Sequence, residues 1–107
     1  MKSKLYQDPD GTKRWCLPNG DYHRSNGPAV IKLNGEKIWF QHGKIHRTNG
    51  PAIVTADGTK AWFINNQCHR IDGPAIKYLN GEKRWVIQGK ELSFEDWDRK
   101  RKLMWLI

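Results

Sequence analysis

The sequence predicts a mostly β fold, a meandering antiparallel sheet of tandem β-hairpin repeats, about 3.5 repeats of 23 residues, with a C-terminal capping helix. Three observations predict it. The segment HRSNGPAVIKLNGEKIWF at 23–40 returns as HRTNGPAIVTADGTKAWF at 46–63 and as HRIDGPAIKYLNGEKRWV at 69–86, so His23, His46 and His69 recur at a period that marks a repeat architecture. Each copy carries Asn-Gly or Asp-Gly between alternating apolar segments, the strongest short-range hairpin signal. The pattern stops at Leu92, and SFEDWDRKRKLMWLI reads as a helix.

Taken in order, DGTKRW at 10–15 matches NGEKIW at 34–39, DGTKAW at 57–62 and NGEKRW at 80–85, so a partial copy precedes three fuller ones. Asn34-Gly35, Asp57-Gly58 and Asn80-Gly81 are expected as two-residue type I′ turns, because that turn needs positive φ at both central residues. That register pairs Val30 with Trp39, Ile53 with Trp62 and Ile76 with Trp85. A second turn follows each Trp, at His42-Gly43, Asn65-Asn66 and Gln88-Gly89, and pairs Trp39 with His46 and Trp62 with His69. Val or Ile, Trp and His then share a row that is expected to be core. The opposite face collects Ala29, Ile31, Phe40 and Ile45, then Ala52, Val54, Phe63 and Cys68, with Arg47, Arg70, Lys77 and Arg84 alongside. It is a mixed apolar and cationic surface.

Pro28, Pro51 and Pro74 are expected at the first residue of a strand, where a missing N–H does least harm, which makes Asn26-Gly27, Asn49-Gly50 and Asp72-Gly73 the corners between repeats. In the terminal helix Ser93 is the N-cap with Asp96 three residues on, Glu95 and Asp96 suit the positive end, and Arg99 to Lys102 suit the later turns. Such a helix covers the last open strand, and its apolar tip offers a contact for a second copy in a homo-oligomer.

Composition narrows the function. A chain of 107 residues is expected to form one domain, with repeats over 10–92 and the helix over 93–107, and it is too short for a large enclosed enzyme core. Lys and Arg number 19 against 11 acidic residues, a net charge of +8, which favours an anionic partner: nucleic acid, nucleotide, acidic protein or anionic lipid. No apolar run suits a signal peptide or a bilayer span, so a cytoplasmic protein with no membrane span is expected. Cys16 and Cys68 fall in different repeats and outside any Cys-x-x-Cys pair, and are expected as free thiols that bind no zinc.

The unit NGEKIWFQHGKIHRTNGPA resembles the MORN-repeat variants, and in particular the His-Arg-x-Asp-Gly-Pro-Ala version seen in many small phage and other viral proteins. The resemblance covers about residues 10–92. It implies a row of β-hairpins, a phage-encoded protein acting in the host cytoplasm, and a class of small basic proteins that counter host defences, some by sequestering nucleotide signals. The unit departs from the common eukaryotic pattern of Tyr-Glu-Gly and Trp, so the lipid binding of that group transfers poorly.

Within this frame Arg24, Arg47 and Arg70 offer planar forks for phosphate oxygens, or else close each corner on backbone carbonyls and on the Asn or Asp two residues further. Phe40, Phe63 and Tyr78 are the expected stacking platforms for a base, and Arg84 adds charge. The histidines are expected to be structural, since copies one repeat apart stand too far from each other to share a metal. Lys13, Lys37, Lys60 and Lys83 form a periodic ladder, each two residues before a Trp, either as solvated stems over the rings or as a track for a polyanion. No nucleophile stands with a base and orienter, and no Gly-rich phosphate loop is present, so no enzyme and no cofactor are expected. The expected function is non-enzymatic binding or sequestration of an anionic small molecule such as a nucleotide immune signal. The alternatives are a protein–protein interaction module that inhibits a host protein, or a nucleic-acid-binding protein.

Overall fold

Each Trp of the repeat divides its backbone hydrogen bonds between two partners, and the division sets the architecture. The computed structural model describes residues 2–105; Leu106 and Ile107, which the sequence assigns to the terminal helix, lie outside the described residues. In chain order the elements are β1 (Lys4–Gln7), β2 (Lys13–Cys16), β3 (Val30–Ile31), β4 (Lys37–Ile38), β5 (Phe40–Gln41), β6 (Lys44–Ile45), β7 (Ile53–Val54), β8 (Lys60–Ala61), β9 (Phe63–Ile64), β10 (Gln67–Cys68), β11 (Ile76–Lys77), β12 (Lys83–Ile87), β13 (Lys90–Leu92) and α1 (Phe94–Trp105). A nine-stranded antiparallel sheet runs β1-β2-β3-β4-β7-β8-β11-β12-β13, and the ribbons β5–β6 and β9–β10 stand outside it. The result is a slab of 46 × 33 × 18 Å.

The ribbons exist because the strand changes partner at Trp. The Trp39 N–H donates to the Ala52 carbonyl of the next hairpin at 2.8 Å, while its own carbonyl accepts from the His46 N–H of the return strand at 3.0 Å. Trp62 does the same with Ala75 and His69, and Trp15 with Ala29 and His23. Residues before Trp39 and Trp62 therefore belong to the large sheet and residues after them to a ribbon. Sheet order follows chain order as the meander predicts, but with the hairpins β5–β6 and β9–β10 displaced from the sheet.

The register differs from the expected one by a single residue. Val30 pairs with Ile38, Ile53 with Ala61 and Ile76 with Arg84, and none of the three pairs with Trp. The Asn-Gly loops contain three residues: Lys32 N–H donates to Glu36 O at 2.9 Å, Gly35 N–H donates to Lys32 O at 3.0 Å, and only the glycine has positive φ, 95°. This is a type I turn with a glycine bulge. The Asn34 side chain instead accepts the Glu36 N–H at 3.0 Å, and Asp10, Asp57 and Asn80 do likewise for the N–H two residues on. The paired positive φ angles occur at the second turns, at His42-Gly43, Asn65-Asn66 and Gln88-Gly89.

One residue of slip moves each side chain to the other face. Trp is flanked by Ala: Trp15, Ala29, Trp39, Ala52, Trp62, Ala75 and Trp85 succeed one another across seven strands, large alternating with small. Ala29, Ala52 and Ala75 are 0% exposed, while Trp15, Trp39, Trp62 and Trp85 are half-buried. The expected continuous tryptophan core is thus an alanine floor between half-covered indoles. The neighbouring row on the other face is Arg14, Val30, Ile38, Ile53, Ala61, Ile76 and Arg84.

Denser packing lies at the ends. Cys16, Leu17, His23 and Val30 are buried at one end, and Val86, Ile87 and Trp97 at the other. Repeat patterning does not mark β1, because the segment before Asp10 lacks Gly-Pro-Ala; the strand completes the first hairpin, with Leu5 opposite Trp15 where later repeats have Ala. In α1 the Ser93 hydroxyl accepts the Asp96 N–H at 3.1 Å as expected of an N-cap. No described helix is long and apolar enough to cross a membrane. Both cysteines are free.

Ala52→Leu should destabilise the chain by about 1–3 kcal/mol in urea unfolding, because the added carbons have only the rings of Trp39 and Trp62 to displace. A loss below about 0.5 kcal/mol, the scale of a neutral surface change, would contradict the ladder.

Candidate functional site at the repeat corners

The motif His-Arg-x-Asn/Asp-Gly-Pro-Ala builds one corner, and each residue type has a contact that explains it. Histidine comes first. The Nδ1 of His23 accepts the His42 N–H at 3.0 Å, that of His46 the Asn65 N–H at 3.1 Å, and that of His69 the Gln88 N–H at 2.9 Å. The next N–H of each type I′ turn, at Gly43, Asn66 or Gly89, donates to the carbonyl of Tyr22, Ile45 or Cys68, each at 2.8 Å. Both orphan donors of a turn are thus taken by the repeat before it, and histidine clips one ribbon to the next.

Arginine closes the corner. The Cζ of Arg24, Arg47 and Arg70 stands 3.8, 4.1 and 3.9 Å from the ring centres of Trp15, Trp39 and Trp62. Each contact of this kind is worth about 0.5–2 kcal/mol. The same guanidinium donates through Nη1 to the carbonyl of Pro28, Pro51 or Pro74 at 3.2, 3.0 and 3.0 Å. Glycine is required for room: a β-carbon on Gly27, Gly50 or Gly73 would stand 3.1, 2.9 or 2.7 Å from that Cζ. The arginines therefore lie on the tryptophan face and not on the opposite face where alternation placed Arg47 and Arg70.

The three corners differ in charge. Arg47 Nε donates to the Asn49 side chain at 3.2 Å, whereas Arg70 Nε meets the Asp72 carboxylate at 2.9 Å as an ion pair. Among the described residues the Arg24 guanidinium has only its Pro28 hydrogen bond. At the fourth hairpin Ser93 stands where Arg would be, and Trp85 is covered by Phe94 and Trp97 at ring distances of 4.8 and 4.5 Å. The indole N–H of Trp97 donates to the Arg70 carbonyl at 2.8 Å, so the helix replaces the missing corner.

Clefts open between successive corners. Lys2, Trp15, Arg24 and Asn26 line one of about 390 Å³; Ser25, Asn26, Trp39, Arg47, Thr48 and Asn49 line a second of about 500 Å³. A third, of about 300 Å³, has Arg47, Trp62, Arg70, Asp72 and Trp105.

The other expected site residues are placed elsewhere. Phe40 and Phe63 are half-buried in β5 and β9, with Phe40 edge-on to Tyr22 at 5.1 Å. Tyr78 lines a separate cleft near a hairpin tip, with Asp57 and Leu79. Arg84 is paired with Glu91 at 2.9 Å and stands on the face opposite Lys77, not beside it. The aromatic surface that sequence reasoning misses is Trp39 and Trp62 themselves. The signal is their constant position next to His-Arg, which reads equally well as core. No family model, characterised protein or solved structure matches the chain.

Burial holds the imidazoles of His23 and His69 below their ordinary pKa of 6.5, and the neighbouring His42 adds to this at His23. An Nδ1 that accepts an N–H requires the neutral ring. The folded state thus prefers the neutral form, and the unfolded chain binds more protons as pH falls past about 6.5. The clip's stability is full above about 6.5 and is lost as pH falls through the lower folded-state values. Thermal unfolding between about pH 8 and pH 5 should show a plateau and then a falling Tm, and a Tm that holds or rises across that window would contradict the clip.

Proposed function

We propose that the protein is a non-enzymatic binder of a phosphate-bearing small molecule, a nucleotide, held in the clefts at its first two corners. One observation carries the reading: the cleft at Arg47 is lined by hydroxyl, amide, indole and guanidinium groups and by no carboxylate. Arg47 spends Nε and Nη1 on Asn49 and Pro51, and its Nη2 has no hydrogen-bond partner among the described residues. A guanidinium fixed against Trp39 loses little freedom on meeting an anion, and preorganisation of this kind raises affinity. The hydroxyls of Ser25 and Thr48 and the amides of Asn26 and Asn49 provide further donors. The volume of about 500 Å³ suits a nucleotide-sized ligand.

The third corner is the natural control. Asp72 already neutralises Arg70, so an anion gains less there. Binding without turnover removes a ligand from circulation, which agrees with the MORN-like resemblance and with the phage-encoded, anti-defence role that resemblance implies.

Asn49→Asp copies the third corner into the second and should leave the fold intact. Calorimetric titration with ATP, ADP and cyclic dinucleotides should show at least about tenfold weaker binding, the loss of one charge-assisted contact, with Tm held or raised. Equal affinity in the variant, or no binding of any nucleotide by the wild type, would overturn the proposal.

A further inference from the structure

The observed register assembles a second cationic feature away from the corners. Lys13 is opposite Ile31, Ile31 opposite Lys37, Lys37 opposite Val54, Val54 opposite Lys60, Lys60 opposite Lys77, and Lys77 opposite Lys83. Residues directly opposed across antiparallel strands share a face, so five lysines lie in one line across seven strands, about 29 Å long at about 4.8 Å per strand. Three of the lysines fall on adjacent strands. All five are exposed, and none forms an ion pair among the described residues.

This arrangement costs stability, since like charges directly opposed repel. The chain has acidic residues to relieve it and places them elsewhere: Asp8 on Arg14, Glu36 on Lys32, Glu91 on Arg84, Asp96 on Arg99, and Asp98 on Arg101 and Lys102. Lys77 extends the row beyond the repeat, because the equivalent positions hold Ile31 and Val54. The row becomes densest toward the fourth hairpin. Packing does not require this, because the side chains are in solvent.

We infer that this lysine row is a binding track for the phosphate backbone of a single-stranded nucleic acid. The ligand chemistry follows from shape as well as sign. A row of cations about 29 Å long on one sheet face approaches one turn of duplex, about 34 Å, over which each strand circles the axis and presents only part of its phosphates to one side. A flexible single strand can follow the whole line. The half-buried tryptophans stand two residues along each strand on the same face, and the guanidinium planes stacked on three of them border the lysine row with further cations.

The test is fluorescence anisotropy of a labelled oligothymidylate of about 15 nucleotides, titrated at several salt concentrations. Five contacts on a single strand give a slope of log K against log salt of about −3.5. The triple variant Lys60→Gln/Lys77→Gln/Lys83→Gln removes exposed side chains that support no packing, and should reduce the slope by about 2 while keeping a Tm at or above the wild type. An unchanged slope in the triple variant overturns the assignment. So does tighter binding of a duplex of equal length, or binding confined to phosphatidylserine vesicles or to an acidic peptide.

Discussion

The structure depends on where the tryptophan backbone sends its two hydrogen bonds. With the N–H committed to the alanine of the next hairpin and the carbonyl to the histidine of its own return strand, the chain must leave the sheet at that residue. Three consequences follow. The residue between two successive Trp must be small, or it would collide with the indoles on both sides. The exposed indole needs a cover, which arginine supplies. The displaced ribbon needs an anchor, and the imidazole of the preceding repeat provides one. The seven-residue motif is the set of side chains that these conditions select.

A slab of this kind stabilises itself from neighbour to neighbour, as in other linear repeat proteins, and its problem is the ends. The first hairpin offers β1 as an open edge carrying Leu5 and Tyr6, both exposed. The last end is treated differently: Phe94 and Trp97 press on Trp85, and Arg101 lies 4.9 Å from the Trp97 ring and 4.6 Å from that of Trp105. The helix reproduces with aromatic rings the cover that arginine gives elsewhere. This accounts for the sequence departing from its own repeat at Leu92 and Ser93.

Much of this is legible in the sequence. The 23-residue period, the hairpin order, the corner glycines and the capped terminal helix all follow from turn chemistry and periodicity, whereas Pro28, Pro51 and Pro74 stand two residues ahead of their strands and not at the first position. The register does not, for a local reason. Asn-Gly serves a two-residue turn with both residues at positive φ and equally a three-residue loop in which only Gly is left-handed and the Asn side chain accepts a backbone N–H. Asn34 and Asn80 take the second form, and no residue in LNGEK distinguishes the two. The slip transfers Ala29 and Arg47 to the tryptophan face and separates Lys77 from Arg84. Site prediction inherits the same shift: the corner arginines are legible, but their aromatic neighbour is Trp and not Phe40 or Phe63.

Charge placement separates two cationic features on one face of the frame. The corners hold arginine fixed by stacking and carbonyl bonds, with the carboxylate of Asp72 present at only one of three. The sheet face holds lysine free in solvent. Both arrangements rest on Trp being opposite Ala, since that register brings the lysines into line and the guanidinium over the ring. The most direct measurement is a methyl-resolved NMR spectrum with through-space contacts to the indole protons. The methyls of Ala29, Ala52 and Ala75 should be shifted strongly upfield by the rings beside them and show contacts to two tryptophans each. If the shifted methyls with indole contacts are instead those of Val30, Ile53 and Ile76, the two-residue turn holds and the account fails.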